Sequence, residues 1–269
     1  MRAAFIRRGV TAVAATALLA LSACGGGSSS SGTAASPSAG TSSPGVTGNL
    51  TVFAAASLTG TFTQIGKDFD AANGTKTTFN FAGSSALATQ INQGAPADVF
   101  ASASPTNMKT VTDAGNADGT PTTFVKNQLV IAVPKGNPKH ITGLADLTKA
   151  GVKVAECAAA VPCGAAAIKA LAAAKVTLKP VTLEQDVKSA LSKVTLGEVD
   201  AALVYRTDAK AAASSVDGIE FPESAGAINL YPIVVLKNSA NKTAAQAFVA
   251  YVLSDKGMSV LTAAGFQAP

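Results

Sequence analysis

Apolar positions along residues 49–134 fall into short runs that alternate with stretches of helical period. Residues 50–54 form an apolar run of strand length, after which Phe62, Ile65 and Phe69 recur at the spacing of one buried helix face. Residues 77–81 alternate as a strand does, 86–93 read as a helix ending near Gly94, 99–103 read as a strand, and Pro105 opens another helix. A β-branched run at 128–133 stops at Pro134. The pattern then resumes: a strand at 152–155, an Ala-rich helix at 164–174, a helix at 186–196 and a strand at 201–204. A helical stretch at 207–213, a strand at 230–236 and helices at 244–253 and 256–263 complete it. Such alternation predicts an α/β protein with parallel sheets covered by helices on both faces. No short internal repeat is visible.

Four of the predicted junctions carry small or hydroxyl-bearing residues: FAAASL at 53–58, FAGSSALA at 81–88, VPCG at 161–164 and DVKSAL at 186–191. A helix start exposes backbone N–H groups and the positive end of the helix dipole, so it suits an anion. In open α/β sheets ligands bind beyond the carboxyl ends of the strands, where these residues fall. Several such starts converging on one point can hold a desolvated dianion without Lys or Arg. Ser57 and Ser84 also admit a plainer reading as ordinary helix caps, and Tyr205 one as a core tyrosine. Asp98 and Asp208 are expected to be caps or structural acceptors, because a carboxylate repels a dianion. The one histidine, His140, is expected to be exposed.

The N-terminus changes the picture of where the chain works. Arg2, Arg7 and Arg8 precede an apolar stretch at 10–21, which is too short to span a bilayer and reads as the core of a signal peptide covering 1–23. Leu-Ser-Ala-Cys at 21–24 fits cleavage before a lipidated Cys24, which would anchor the chain to the outer face of the cell membrane. The alternative is a plain secretory signal with an incidental cysteine. Residues 25–48 are nearly all Gly, Ser, Thr, Ala and Pro, a flexible tether with a root-mean-square reach of roughly 27 Å. Removing the three signal arginines leaves 18 basic against 16 acidic residues, a balance of +2 with no basic–aromatic cluster, which argues against nucleic acid. One histidine and three cysteines cannot furnish a zinc or iron site. Outside the cytosol, Cys157 and Cys163 are expected to form a disulfide rather than stay as two buried thiols.

FAAASL at 53–58, FAGSSALATQI at 81–91, GAPADVFASA at 94–103 and GEVDAALVYRTDA at 197–209, in this order, resemble the periplasmic molybdate-binding proteins of ABC transporters. The resemblance covers 49–269, and the cysteine loop with the lipoprotein anchor is similar to the Gram-positive, actinobacterial branch. It implies a two-lobed type II periplasmic-binding-protein fold, with two mixed sheets, flanking helices and a ligand cleft between the lobes. Lobe 1 is expected at 49–127 and 231–269, lobe 2 at 128–230, with crossings near Asn127 and Tyr231. It further implies an oxyanion site of Ser57, Ser84, Cys163, Val187 and Tyr205, with no side chain ligating the metal itself. Ser57 would give hydroxyl and N–H, Ser84 its hydroxyl, Cys163 and Val187 backbone N–H, and Tyr205 its phenol. Cys163 is a departure, since the family usually has Ala there. The implied function is capture of molybdate or tungstate, without cofactor, and delivery to a permease and its ATPase by a monomer. A receptor for sulfate or another small tetrahedral oxyanion is the alternative. Enzymatic readings fare poorly: no G-x-S-x-G elbow or phosphate-cradling G-x-x-x-x-G-K occurs, and the only histidine lies in an expected loop. A structural or adhesive lipoprotein would need none of the helix-start pattern. No acidic residue is expected in the cleft, which disfavours hydrogen phosphate.

Overall fold

The computed structural model describes residues Val46–Pro269. The signal peptide at 1–23, Cys24 and nearly all of the 24–48 tether lie outside the described residues. No helix among the described residues is long and apolar enough to cross a membrane.

The first sheet contains β1 (Gly48–Ala55), β2 (Thr75–Ala82), β3 (Val99–Ala101) and β4 (Ala117–Asn127), with α1 (Thr59–Asn73), α2 (Ser84–Asn92) and α3 (Pro105–Asp113) between them. The second sheet contains β5 (Leu129–Pro134), β6 (Val154–Cys157), β7 (Thr182–Glu184), β8 (Ala201–Tyr205) and β9 (Val216–Ile219). Its helices are α4 (Pro162–Ala174), α5 (Val187–Thr195) and α6 (Arg206–Ala211). The chain then returns to the first sheet as β10 (Asn229–Leu236) and ends in α7 (Lys242–Leu253) and α8 (Asp255–Ala264).

The strand orders are β2-β1-β3-β10-β4 and β7-β6-β8-β5-β9. The two orders have one plan. In each sheet three parallel strands are followed by an antiparallel strand connected directly in sequence to the other sheet, and then by an antiparallel edge partner. The sheets are therefore mixed, as the resemblance implied and as simple alternation did not. Three strands escaped the pattern. β4 carries Gly119, Pro121 and a run of Thr and reads as a loop, but it is an edge strand with register shifts against β10, where proline is tolerated. β7 and β9 are edge strands of three and four residues, too short to show a period.

Each half has its own core. In the first, the buried positions Phe62, Ile65 and Phe69 of α1 pack with Phe124, Tyr231 and Phe248. In the second, Val130, Ile131, Leu203 and Val204 of the central strands pack under Ala166, Ala167 and Ala170 of α4 and Ala190 and Leu191 of α5. Parallel β1, β2 and β3 of one half and β6, β7 and β8 of the other thus run towards short connections, and these connections build the site.

Candidate functional site

All five sequence-derived site residues, Ser57, Ser84, Cys163, Val187 and Tyr205, line one small pocket between the two halves. They come from five separate connections, so only the closed topology brings them together. Ser57 sits in a single 3-10 turn at 56–58 after β1, and Ser84 is the first residue of α2. Neither hydroxyl caps its helix, so the plainer reading of these two serines does not hold. Ser84 Oγ instead accepts the Ala103 N–H at 3.0 Å. A hydroxyl has one proton to give, and with its oxygen so engaged that proton is free for the cavity.

Ser57 belongs to a chain of polar groups that the sequence reading missed. The Gln128 N–H donates to Asn127 Oδ1 at 3.0 Å, which turns Nδ2 towards Thr207 Oγ1 at 2.8 Å and the Tyr231 hydroxyl at 3.4 Å. Tyr231 and Ser57 share a further hydrogen bond of 2.9 Å. Either hydroxyl can donate in that bond, so the Ser57 side chain is held in place by Tyr231 and, through it, by Asn127. Asn127 and Tyr231 lie on neighbouring strands β4 and β10, and nothing in their local sequence signals contact with a serine far away in the chain.

In the second half Cys163 and Val187 stand at helix starts. Val161 N-caps α4 with Pro162 first in the helix and Cys163 next; Asp186 N-caps α5 with Val187 first. Proline suits this position because its missing N–H would have no partner there. Cys163 is disulfide-bonded to Cys157 at the end of β6, as the spacing and compartment suggested. The loop between them is tight: a side chain on Gly164 would meet the carbonyls of Ala158 and Cys157. Tyr205, at the end of β8, is 1% exposed, and its hydroxyl has no hydrogen-bond partner among the described residues. Burial pushes its pKa well above the usual phenol value, with Tyr231 and Asp208 adding to the effect. It remains a proton donor at neutral pH, and a buried donor without a partner costs about 1–3 kcal/mol.

The pocket carries no basic side chain: among the described residues that line it there is no Lys, Arg or His. One expectation needs correcting: an acidic residue, Asp186, does line the cavity. Its carboxylate is occupied, accepting from the Ser189 N–H and hydroxyl at 2.9 Å each, because an N-cap carboxylate satisfies otherwise orphaned helix N–H groups. Asp98 is a structural acceptor, receiving from Thr51 N–H, Ser239 Oγ and Ala240 N–H. Asp208 is fully buried and pairs with Lys188 Nζ at 2.9 Å, though neither carboxylate oxygen meets hydrogen-bond geometry. Burial raises its pKa, and Lys188 works against that shift. His140 is exposed. Among the described residues there is no cluster of three or more His, Cys, Asp or Glu suited to a metal ion.

The two halves also touch directly. Asn229, at the start of β10, donates through Nδ2 to Ala103 O at 2.8 Å on one side and to Pro162 O at 3.4 Å on the other.

Two α/β halves of one plan, joined by crossing strands and enclosing a small donor-lined cavity, define a solute-binding protein. The chain belongs to the bacterial extracellular solute-binding protein family, whose model matches residues 50–267. The molybdate-binding protein ModA of Mycobacterium tuberculosis (strain ATCC 25618 / H37Rv) is 45% identical to it over 258 residues, 96% of each chain. The substrate-binding domain of a putative molybdenum ABC transporter from Clostridium difficile is 30% identical, with a TM-score of 0.62 over 82% of this chain and 99% of that one. The sulfate-binding protein SubI of Mycobacterium tuberculosis H37Rv shares the fold, with a TM-score of 0.70 at 19% identity over 82% of this chain and 86% of that one. Fold alone therefore does not choose the anion.

Proposed function

We propose that this protein captures molybdate, and tungstate with it, outside the cytoplasm and delivers it to the permease and ATPase of an ABC transporter. One observation carries the reading: a small pocket between the halves is lined by two serines, a tyrosine with an unpartnered hydroxyl and two helix starts, with no Lys, Arg or His among its lining residues. Molybdate at neutral pH is a tetrahedral dianion with no proton of its own to donate. Ser57, Ser84 and Tyr205 give it O–H groups, and Cys163 and Val187 give it N–H groups at positive helix ends. Each such charge-assisted bond contributes roughly 1.5–3 kcal/mol. Neutral donors leave no buried unpaired cation when the anion departs. The Asp186 carboxylate, engaged by Ser189, is not offered to a protonated anion. The mechanism is capture without chemistry: no residue acts as nucleophile or base.

Residues 49–127 with 231–269 act as one lobe and 128–230 as the other, closing on the anion. The segment 1–23 is a signal peptide, Cys24 carries the lipid that holds a monomer at the membrane, and 24–48 is the tether.

The test is calorimetric titration of residues 46–269 with molybdate, tungstate, sulfate and phosphate. One-to-one binding of molybdate and tungstate with weak or absent heat from sulfate is expected. Heat from sulfate alone would keep the architecture and change the anion, and heat from none would reduce the helix starts to structural features.

A further inference from the structure

Position 83 holds a glycine that its own half of the molecule does not require. Gly83 N-caps α2 with φ −59° and ψ 134°, a backbone that any residue adopts. Serine or asparagine would serve better at a helix N-cap, because a side-chain oxygen there accepts a helix N–H. What excludes a side chain is the opposite half. A Cβ at position 83 would lie 2.2 Å from the Gln185 carbonyl oxygen and 3.5 Å from Val161 Cγ1. Both neighbours belong to the second half, in the connections that carry Val187 and Cys163. The carbonyl cannot turn aside cheaply: Glu184, its chain neighbour, is held in β7 and accepts the Ala158 N–H at 2.8 Å, while Asp186 on the other side caps α5. No atom of Gly83's own half comes within the three nearest contacts.

We infer that Gly83 determines closure of the cleft: its missing side chain lets the start of α2 come against the Gln185 carbonyl, and any larger residue there wedges the halves apart while leaving each half intact. The inference deepens the proposed function and rests on that reading of the cleft. Closure occurs only to the extent that the anion is held better in the closed form. A wedge charged to the closed form alone therefore appears as lost affinity and lost compaction, with folding untouched. Gly66 offers the contrast. A Cβ there would lie 2.6 Å from the Phe79 ring, within the first half, so a side chain at 66 burdens both forms equally.

The experiment compares the purified protein with its Gly83→Ser, Gly83→Ala and Gly66→Ala variants. Melting is recorded without anion, molybdate affinity by calorimetry, and the radius of gyration by X-ray scattering with and without saturating molybdate. The expected result for both Gly83 variants is an unliganded melting temperature like that of the parent, affinity lower by at least about tenfold, and incomplete compaction even at saturation. Gly66→Ala should instead melt earlier and still compact fully once loaded. Full compaction of the Gly83 variants at saturation would overturn the inference. So would a fall in their unliganded melting temperature matching that of Gly66→Ala, which would assign Gly83 to packing within its own half. Failure of the parent itself to bind any of the four oxyanions would remove the proposed function and the closure role with it.

Discussion

The two halves follow one strand plan but are held together by different means. The first is packed with aromatic rings: Phe62 stands 6.3 Å from Phe79, 5.9 Å from Phe124 and 6.0 Å from Phe248 between ring centroids. Tyr231, which carries the Ser57 hydrogen bond, packs edge-on against Phe124 and Phe266 in the same cluster. The second half is built from Val, Ala, Leu and Ile, with Tyr205 and Phe221 as the aromatic members of its buried core. Small residues bring α4 and α5 close to the sheet but bury less surface each. The loop that presents Cys163 is fastened by a disulfide instead. The donors proposed for the anion follow the same division. In the aromatic half they are serine hydroxyls, in the turn after β1 and at the start of α2, and in the aliphatic half backbone N–H groups at helix starts, with Tyr205 as its one side-chain donor. A backbone donor is placed only as well as its loop is, which is why the covalent fastening lies there.

The contrast can be broken at its strongest point first. Phe62→Ala should cost about 3–5 kcal/mol in denaturant unfolding, as large-to-small changes at buried rings do. A loss below about 1 kcal/mol would show that the ring cluster is not what holds the first half. Replacing Cys157 and Cys163 together by Ser should cost about 2 kcal/mol, the chain-entropy value for so short a loop, and should also weaken molybdate binding. Lower stability with unchanged affinity would sharpen the picture differently, making the disulfide a fastening of the fold rather than of the Cys163 donor. Ser84→Ala and Ser57→Ala should each lower affinity at least about tenfold, equivalent to about 1.4 kcal/mol, by removing a charge-assisted donor. Unchanged calorimetric affinity in both would take the hydroxyls out of the site and leave binding to the helix starts.

Much of this was legible in the chain because it is local. Strand-to-helix junctions show in a change of hydrophobic period, and Pro105 and Pro162 mark helix starts through their fixed φ and missing donor. The five pocket residues stand in motifs a few positions long. β4, β7 and β9 were not legible, since an edge strand with one neighbour tolerates Gly, Pro and Thr and leaves little pattern behind. The Asp186 carboxylate was not foreseen at the cavity wall, because its position depends on how α5 faces the other half.

The alternation of elements and the residue types at the strand-to-helix junctions can be read along the chain without the fold. The fold was needed to show that β10 pairs antiparallel with β3 and β5 antiparallel with β8, that Asn127 and Tyr231 hold the Ser57 side chain, and that Gly83 meets Gln185. The reason is physical: periodicity and helix-start chemistry act between residues a few positions apart, whereas these three features are contacts between segments distant in sequence. Such contacts are set by the packing of two separate cores and leave no period to read.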